Sequence, residues 1–192
     1  ILLPSSELTG EIPESIGDLI NLNSLVLYNN QLSGGIPESI ENLTNLMWLN
    51  LYNNQLSGEI PESIGNLTNL TSLDLGFNQF SGEIPEGLGN LTNLNHLWLY
   101  HNQLNGEIPI TICNIDSNLE HFYIYDNQLC PPYPECLTEE EIGEQDTSEC
   151  LYNGDINGDG MIDILDIIIL VNMILDDEYN SIADLNEDGE LN

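Results

Sequence analysis

Apolar residues recur along most of the chain with a period of 24, and each repeat carries the same order of signals. The units begin at Leu22, Leu46, Leu70, Leu94 and Leu119. The fourth is one residue longer, and the fifth decays into a cysteine- and proline-rich end. Within a unit two inward leucines flank an outward residue, as in Leu25, Val26 and Leu27, which is the period of a short half-buried strand. A Gly-x-Ile-Pro segment such as Gly58 to Pro61 then supplies a bend and an extended stretch, after which Ile64 and Leu67 point inward. A unit this small cannot bury its apolar face alone, so successive units must stack with their strands parallel and about 4.8 Å apart. An Asn column, Asn30, Asn54, Asn78, Asn102 and Asn127, falls where the chain turns inward. A side-chain amide there satisfies backbone groups cut off from water and can bond from rung to rung.

These units read LxxLxLxxNxL followed by LSGxIPxxLGNLTNL, and they resemble the plant-type 24-residue leucine-rich repeat. The resemblance covers about residues 1–137. It implies an α/β solenoid with a short parallel β-sheet on its concave face. Aligned by 24, Ile1, Leu3 and Leu8 match Leu25, Leu27 and Leu32, with Ser6 in the place of the Asn. No polar cap precedes this turn, so either a longer parent chain or another element is expected to cover it.

The outward strand positions form columns on the concave face. The first is Ser24, Trp48, Ser72, His96, His121, and the second Val26, Asn50, Asp74, Trp98, Tyr123. The third is Tyr28, Tyr52, Gly76, Tyr100, Tyr125, followed by Asn29, Asn53, Phe77, His101, Asp126. Both Trp, all three His and five of the eight Tyr fall here, so solvation alone did not select these positions. Aromatic residues among small polar neighbours are the composition of interaction surfaces, and aromatic columns also suit sugar rings. Tyr28, Trp48, Tyr52, Phe77, His96, Trp98, Tyr100, His101, His121, Tyr123 and Tyr125 are therefore the candidate contacts for a protein or glycan. The bland alternative is an aromatic ladder that only stabilises the sheet. His96 and His121 are neighbours on adjacent rungs, but no third metal ligand stands near them in the pattern.

Charge narrows the partners. The 192 residues include 33 Asp and Glu and no Lys or Arg, a net charge of −33. Nothing can neutralise phosphates, which excludes nucleic acid and anionic membrane surfaces, and lysine chemistry is impossible. No apolar run reaches a membrane span. Glu11, Glu59, Glu83, Glu107 and Glu14, Glu38, Glu62, Glu86 form two columns away from the aromatic face. They read as a solvated face whose stability depends on salt and calcium. Asn42, Asn66, Asn69 and Asn90 head Asn-Leu-Thr sequons, which carry glycans only in a source that glycosylates.

Cys113, Cys130, Cys136 and Cys150 lack CxxC or Cys–His spacing, so disulfides and an oxidising, extracellular setting are expected in preference to a metal site. Three connectivities are open. Stacking of successive turns favours Cys113 with Cys136 and Cys130 with Cys150, closing the solenoid end. Residues 138–152 read as an acidic connector, with Thr138 to Glu141 as the capping-box start of a short helix.

Residues 153–192 change character. Asp155, Asn157, Asp159, Met161 through its carbonyl, Asp163 and Asp166 occupy positions 1, 3, 5, 7, 9 and 12 of a calcium loop, with Gly160 at position 6. A second start supplies Asp184, Asn186, Asp188, Glu190 through its carbonyl and Asn192, and reaches only position 9. This segment is similar to a dockerin with its second loop truncated. The resemblance implies Ca2+ and a cohesin-like partner, with Ile164 and Leu165 at the partner-selecting positions. Residues 164–175 are apolar on nearly every side and so require burial on more than one face.

No nucleophile elbow, phosphate loop or catalytic zinc spacing occurs, so a binder is expected and not an enzyme. The leading reading is an extracellular, calcium-dependent interaction or adhesion protein. Its repeat face would hold a protein or glycan, and its tail would attach to a cohesin-like scaffold or cell surface. The alternative is a filament subunit whose copies join end to end as a homopolymer. A third is an accessory domain of a polysaccharide-degrading enzyme.

Overall fold

The computed structural model describes residues 1–116, 119–148, 150, 156 and 164–176. The chain divides into two units, residues 1–148 and 149–192.

The first unit is a solenoid with two parallel sheets. One holds β2 (Ser24–Val26), β4 (Trp48–Asn50), β6 (Ser72–Asp74), β8 (His96–Trp98) and β10 (His121–Tyr123) in that spatial order. The second holds β1 (Thr9–Glu11), β3 (Gln31–Gly34), β5 (Gln55–Glu59), β7 (Gln79–Gly82), β9 (Gln103–Glu107) and β11 (Gln128–Cys130). The repeat pattern anticipates only the first sheet. The second forms because the Gln-Leu-Ser-Gly stretch after each Asn is also extended, and its backbone must pair with something.

Register differs between the sheets. In the first, Leu25 pairs with Leu49 and Leu49 with Leu73, one full repeat apart. In the second, Ser33 pairs with Gln55 and Ser57 with Gln79, a spacing two residues short of the repeat. An even slip keeps the same side chains facing inward. Short 3-10 turns, such as Glu38–Asn42 and Glu62–Asn66, close each rung after a proline in extended conformation.

Leu49, Leu73, Leu97 and Phe122 from the first sheet, Leu56, Phe80 and Leu104 from the second, and Ile64 and Leu67 from the turns share one buried core. The Asn column ties the rungs together. Asn54 Nδ2 donates to Leu51 O in its own rung and to Leu27 O in the previous one, both at 3.0 Å, while its Oδ1 accepts from Leu32 N. Asn78 and Asn102 repeat this pattern. The rung-to-rung bonds thus run from amide to backbone.

At the far end Cys113, which opens the short helix α1 (Cys113–Asp116), is bonded to Cys136. Cys130 and Cys150 are also in disulfide linkage. The connector helix α2 (Glu139–Ile142) starts with a reciprocal capping box between Thr138 and Glu141. Its Ile142 is buried, and Glu141 O, Glu144 O and Asp146 N pair with the backbone of Ile124, Asp126 and Asn127. Residues 138–148 therefore extend the solenoid and cover its last rung. In the second unit the described element is helix α3 (Ile164–Asp176).

Candidate interaction surface

The first sheet presents its outward columns in strict register. Ser24, Trp48, Ser72, His96 and His121 are successive backbone partners, as are Val26, Asn50, Asp74, Trp98 and Tyr123. The strand spacing of about 4.8 Å is close to what stacked rings need, and the rings meet. His96, Trp98 and His121 cluster with planes nearly parallel, the His96 centroid 5.2 and 5.3 Å from the other two and those 6.4 Å from each other. Tyr100 stacks on Tyr125 at 4.9 Å, and Phe77 stands edge-on to Tyr52 and Tyr100 at 5.5 and 5.6 Å. Through His121, Tyr123 and Tyr125 the two groups join into one surface. Nine of the eleven aromatic and histidine candidates belong to it. Tyr28 and Trp48 stand apart on the first rungs, without ring contacts among the described residues, Trp48 at 45% exposure.

A glycine organises the centre. Gly76 interrupts the Tyr column, and a Cβ there would sit 3.0 Å from Tyr100 Cε1, so Tyr100 lies across the bare backbone. This brings its ring within 6.4 Å of Tyr52, two rungs away. The residues of the next column, Asn29, Asn53, Phe77, His101 and Asp126, all hold φ between 52° and 56°. Asn, Asp and His tolerate that left-handed turn, whereas for Phe77 it is strained. His101 Nδ1 lies 2.9 Å from Asp126 Oδ2.

Asp74, in the middle strand, is 7% exposed. Its carboxylate accepts from Gly76 N and from Asn50 Nδ2, each at 3.1 Å. Burial outweighs these bonds and pushes its pKa up to about 6. Tyr100 is raised to about 12, first by its own burial and then by the Asp74 charge. Sequence reasoning placed Asp74 in its column without singling it out. The available signal was a carboxylate among outward strand positions in a chain with no base to pair with it. His96 Nδ1 is buried with no hydrogen-bond partner among the described residues.

The Glu columns are more than a solvated face. Glu59 and Glu83 lay their methylenes against Gly82 and Gly106 of the next rung. Glu62 accepts from Gly87 N, Glu38 from Ser63 Oγ and Glu41 from Asn66 Nδ2. Asn42, Asn66, Asn69 and Asn90 are all exposed. Asn69 Nδ2 also donates to Thr44 O of the previous rung.

In the second unit Asp155, Asn157, Asp159, Met161, Asp163, Asp184, Asn186, Asp188, Glu190 and Asn192 lie outside the described residues. Asp166 is described: it is 2% exposed, and its Oδ1 accepts from Ile156 N at 2.8 Å. A carboxylate is the ligand that position 12 of a calcium loop calls for, and Asp166 would supply it. Among the described residues no group of three or more acidic, His or Cys side chains stands ready to hold a metal. Ile164 and Leu165 are 63% and 51% exposed, and α3 also exposes Ile167, Ile168, Val171 and Ile174. No described helix is long and apolar enough to cross a membrane.

Residues 3–133 match the family model of the leucine-rich repeat region, and residues 153–192 that of the dockerin type I domain. No curated protein sequence matches significantly. Among solved structures the chain is similar to the plant peptide hormone receptor RGFR1 in complex with RGF2, at 41% identity and TM-score 0.65, over 70% of this chain and 22% of that one. It is also similar to the ectodomain of the receptor kinase SOBIR1 from Arabidopsis thaliana, at 38% identity and TM-score 0.65, over 70% of this chain and 72% of that one. A plant ice-binding protein matches at 41% identity and TM-score 0.64, over 68% of this chain and 42% of that one. The chain spans about a fifth of the first receptor structures it matches.

Proposed function

The chain belongs to the leucine-rich repeat family, and from that premise we propose an extracellular interaction protein that holds a peptide or protein segment on its concave aromatic face. One observation carries the reading: nine aromatic and histidine side chains from four rungs form a single connected surface on a rigid sheet. Rigid aromatic area loses little side-chain entropy on binding, which is why such residues dominate binding energy. Repeat neighbours include a plant peptide hormone receptor in complex with RGF2, and that supports a proteinaceous ligand over a sugar.

The tail adds attachment. In this reading residues 153–192 bind Ca2+ through Asp166 and its loop, and the apolar surface of α3 with Ile164 and Leu165 meets a cohesin-like domain. Calcium supplies the charge that lets acidic ligands converge without repulsion. The chain acts as a binder and carries out no reaction.

Affinity selection of peptides and proteins, followed by Trp98→Ala and Tyr100→Ala, tests the face. Loss of binding with unchanged circular dichroism supports it, and selected ligands indifferent to both substitutions refute it. Calorimetry with Ca2+ tests the tail. Sedimentation of the same material as long calcium-dependent polymers would favour the filament alternative instead.

A further inference from the structure

Among the described residues no basic side chain is paired with the Asp74 carboxylate. It lies in the middle strand of the aromatic sheet, flanked in its column by Asn50 and Trp98. Among the described residues two groups donate to the carboxylate, Asn50 Nδ2 and Gly76 N, and both are neutral. The chain contains no Lys or Arg. Of its three histidines, His101 faces Asp126, and His96 and His121 are stacked with Trp98. A desolvated anion without an internal cation is an unfavourable feature of the free fold, and one that a ligand cation relieves on binding.

The surroundings suit a cation of one kind. Tyr52 and Tyr100 stand two rungs apart with centroids at 6.4 Å, and Trp98 lies beside Asp74 on the next strand. Ring faces attract a cation through their quadrupoles, and a guanidinium both stacks on such faces and pairs with a carboxylate. A net charge of −33 steers basic ligands toward the molecule as a whole, while the aromatic rings and the buried carboxylate pick out one position.

We propose that the concave face recognises a peptide segment through an arginine side chain that packs against Tyr52, Trp98 and Tyr100 and pairs with the Asp74 carboxylate. This rests on the concave-face reading above and names the chemistry of its ligand.

The test uses the full chain and a displayed library of random short peptides, at physiological salt. Enriched peptides are expected to share an arginine, and its replacement by citrulline, its neutral counterpart, to weaken binding by about ten-fold or more. Asp74→Asn should weaken binding similarly and make the citrulline exchange nearly neutral, while Glu83→Gln, just past a strand of the other sheet, changes little. The citrulline exchange is read on unaltered protein, so a folding defect in the variant cannot mimic it. Peptides that need Trp98 but ignore both citrulline and Asp74→Asn overturn this inference and leave the concave-face reading standing. Equal loss with Glu83→Gln reveals diffuse attraction to an acidic surface and overturns it too. Absence of any ligand sensitive to Trp98→Ala overturns both.

Discussion

Gln145 does for the last rung what Asn127 does for the rung before it. Asn127 Nδ2 donates to Ile124 O and Leu99 O, and its Oδ1 accepts from Leu104 N. Gln145 Nε2 donates to Ile142 O and Ile124 O, and its Oε1 accepts from Leu129 N. The connector thus ends the Asn ladder with an amide of another length, and the final carbonyls are not left unpaired. Gln145→Ala should cost about 1–3 kcal/mol, because buried backbone groups lose their partner. Hydrogen exchange should then speed at Leu129 before it does at Leu56, and uniform protection along the solenoid would contradict the capping role.

The disulfide between Cys113 and Cys136 closes a loop with a sequence separation of 23. Replacing both cysteines by serine should destabilise the first unit by about 3 kcal/mol through loss of loop constraint in the unfolded chain. Urea unfolding measures this, with mass spectrometry to verify the remaining linkage.

Asp74 makes stability depend on pH with a definite sign. Its folded pKa, about 6, lies above the ordinary aspartate value of 3.8, so the folded state binds the proton more tightly. This contribution is fully present below about pH 4 and is lost as pH rises through about 6, at most about 3 kcal/mol. Asp74→Asn should flatten that segment of the stability curve. Parallel curves for the two proteins between pH 4 and 6 would refute the burial argument.

Gly76→Ala should push Tyr100 off the backbone it covers, since the new methyl would lie 3.0–3.1 Å from its ring. Tyr100 then becomes more exposed, and its phenol should titrate below the value of about 12 that burial gives it. Ultraviolet titration of the two proteins provides the comparison, and thermal unfolding should change by less than about 1 kcal/mol.

Phe77 is the residue where function and stability pull apart. Its φ of 52° suits the Asn found at the same position in two other rungs, yet its ring joins Tyr52, Tyr100 and His101. Phe77→Asn should relieve about 1 kcal/mol of strain while opening a gap in the aromatic surface. A more stable protein that binds selected peptides less well is the expected result. Lower stability would mean that the ring packs for structure.

The repeat, the strand columns, the Asn ladder and the capping box at Thr138 were all legible in the sequence. Each is a local pattern multiplied by a fixed period, and stacking converts sequence position directly into spatial position. The sequence also carried the absence of any base, which makes Asp74 unusual. What only the tertiary structure decided lies between rungs. The second sheet with its two-residue slip depends on how bends nest. The lean of Tyr100 over Gly76 depends on a missing Cβ one rung away. The use of Gln145 as a terminal rung amide depends on where a nonrepeating connector docks. None of these has a periodic signature, because each arises from the fit of two segments that are distant in the chain and not alike.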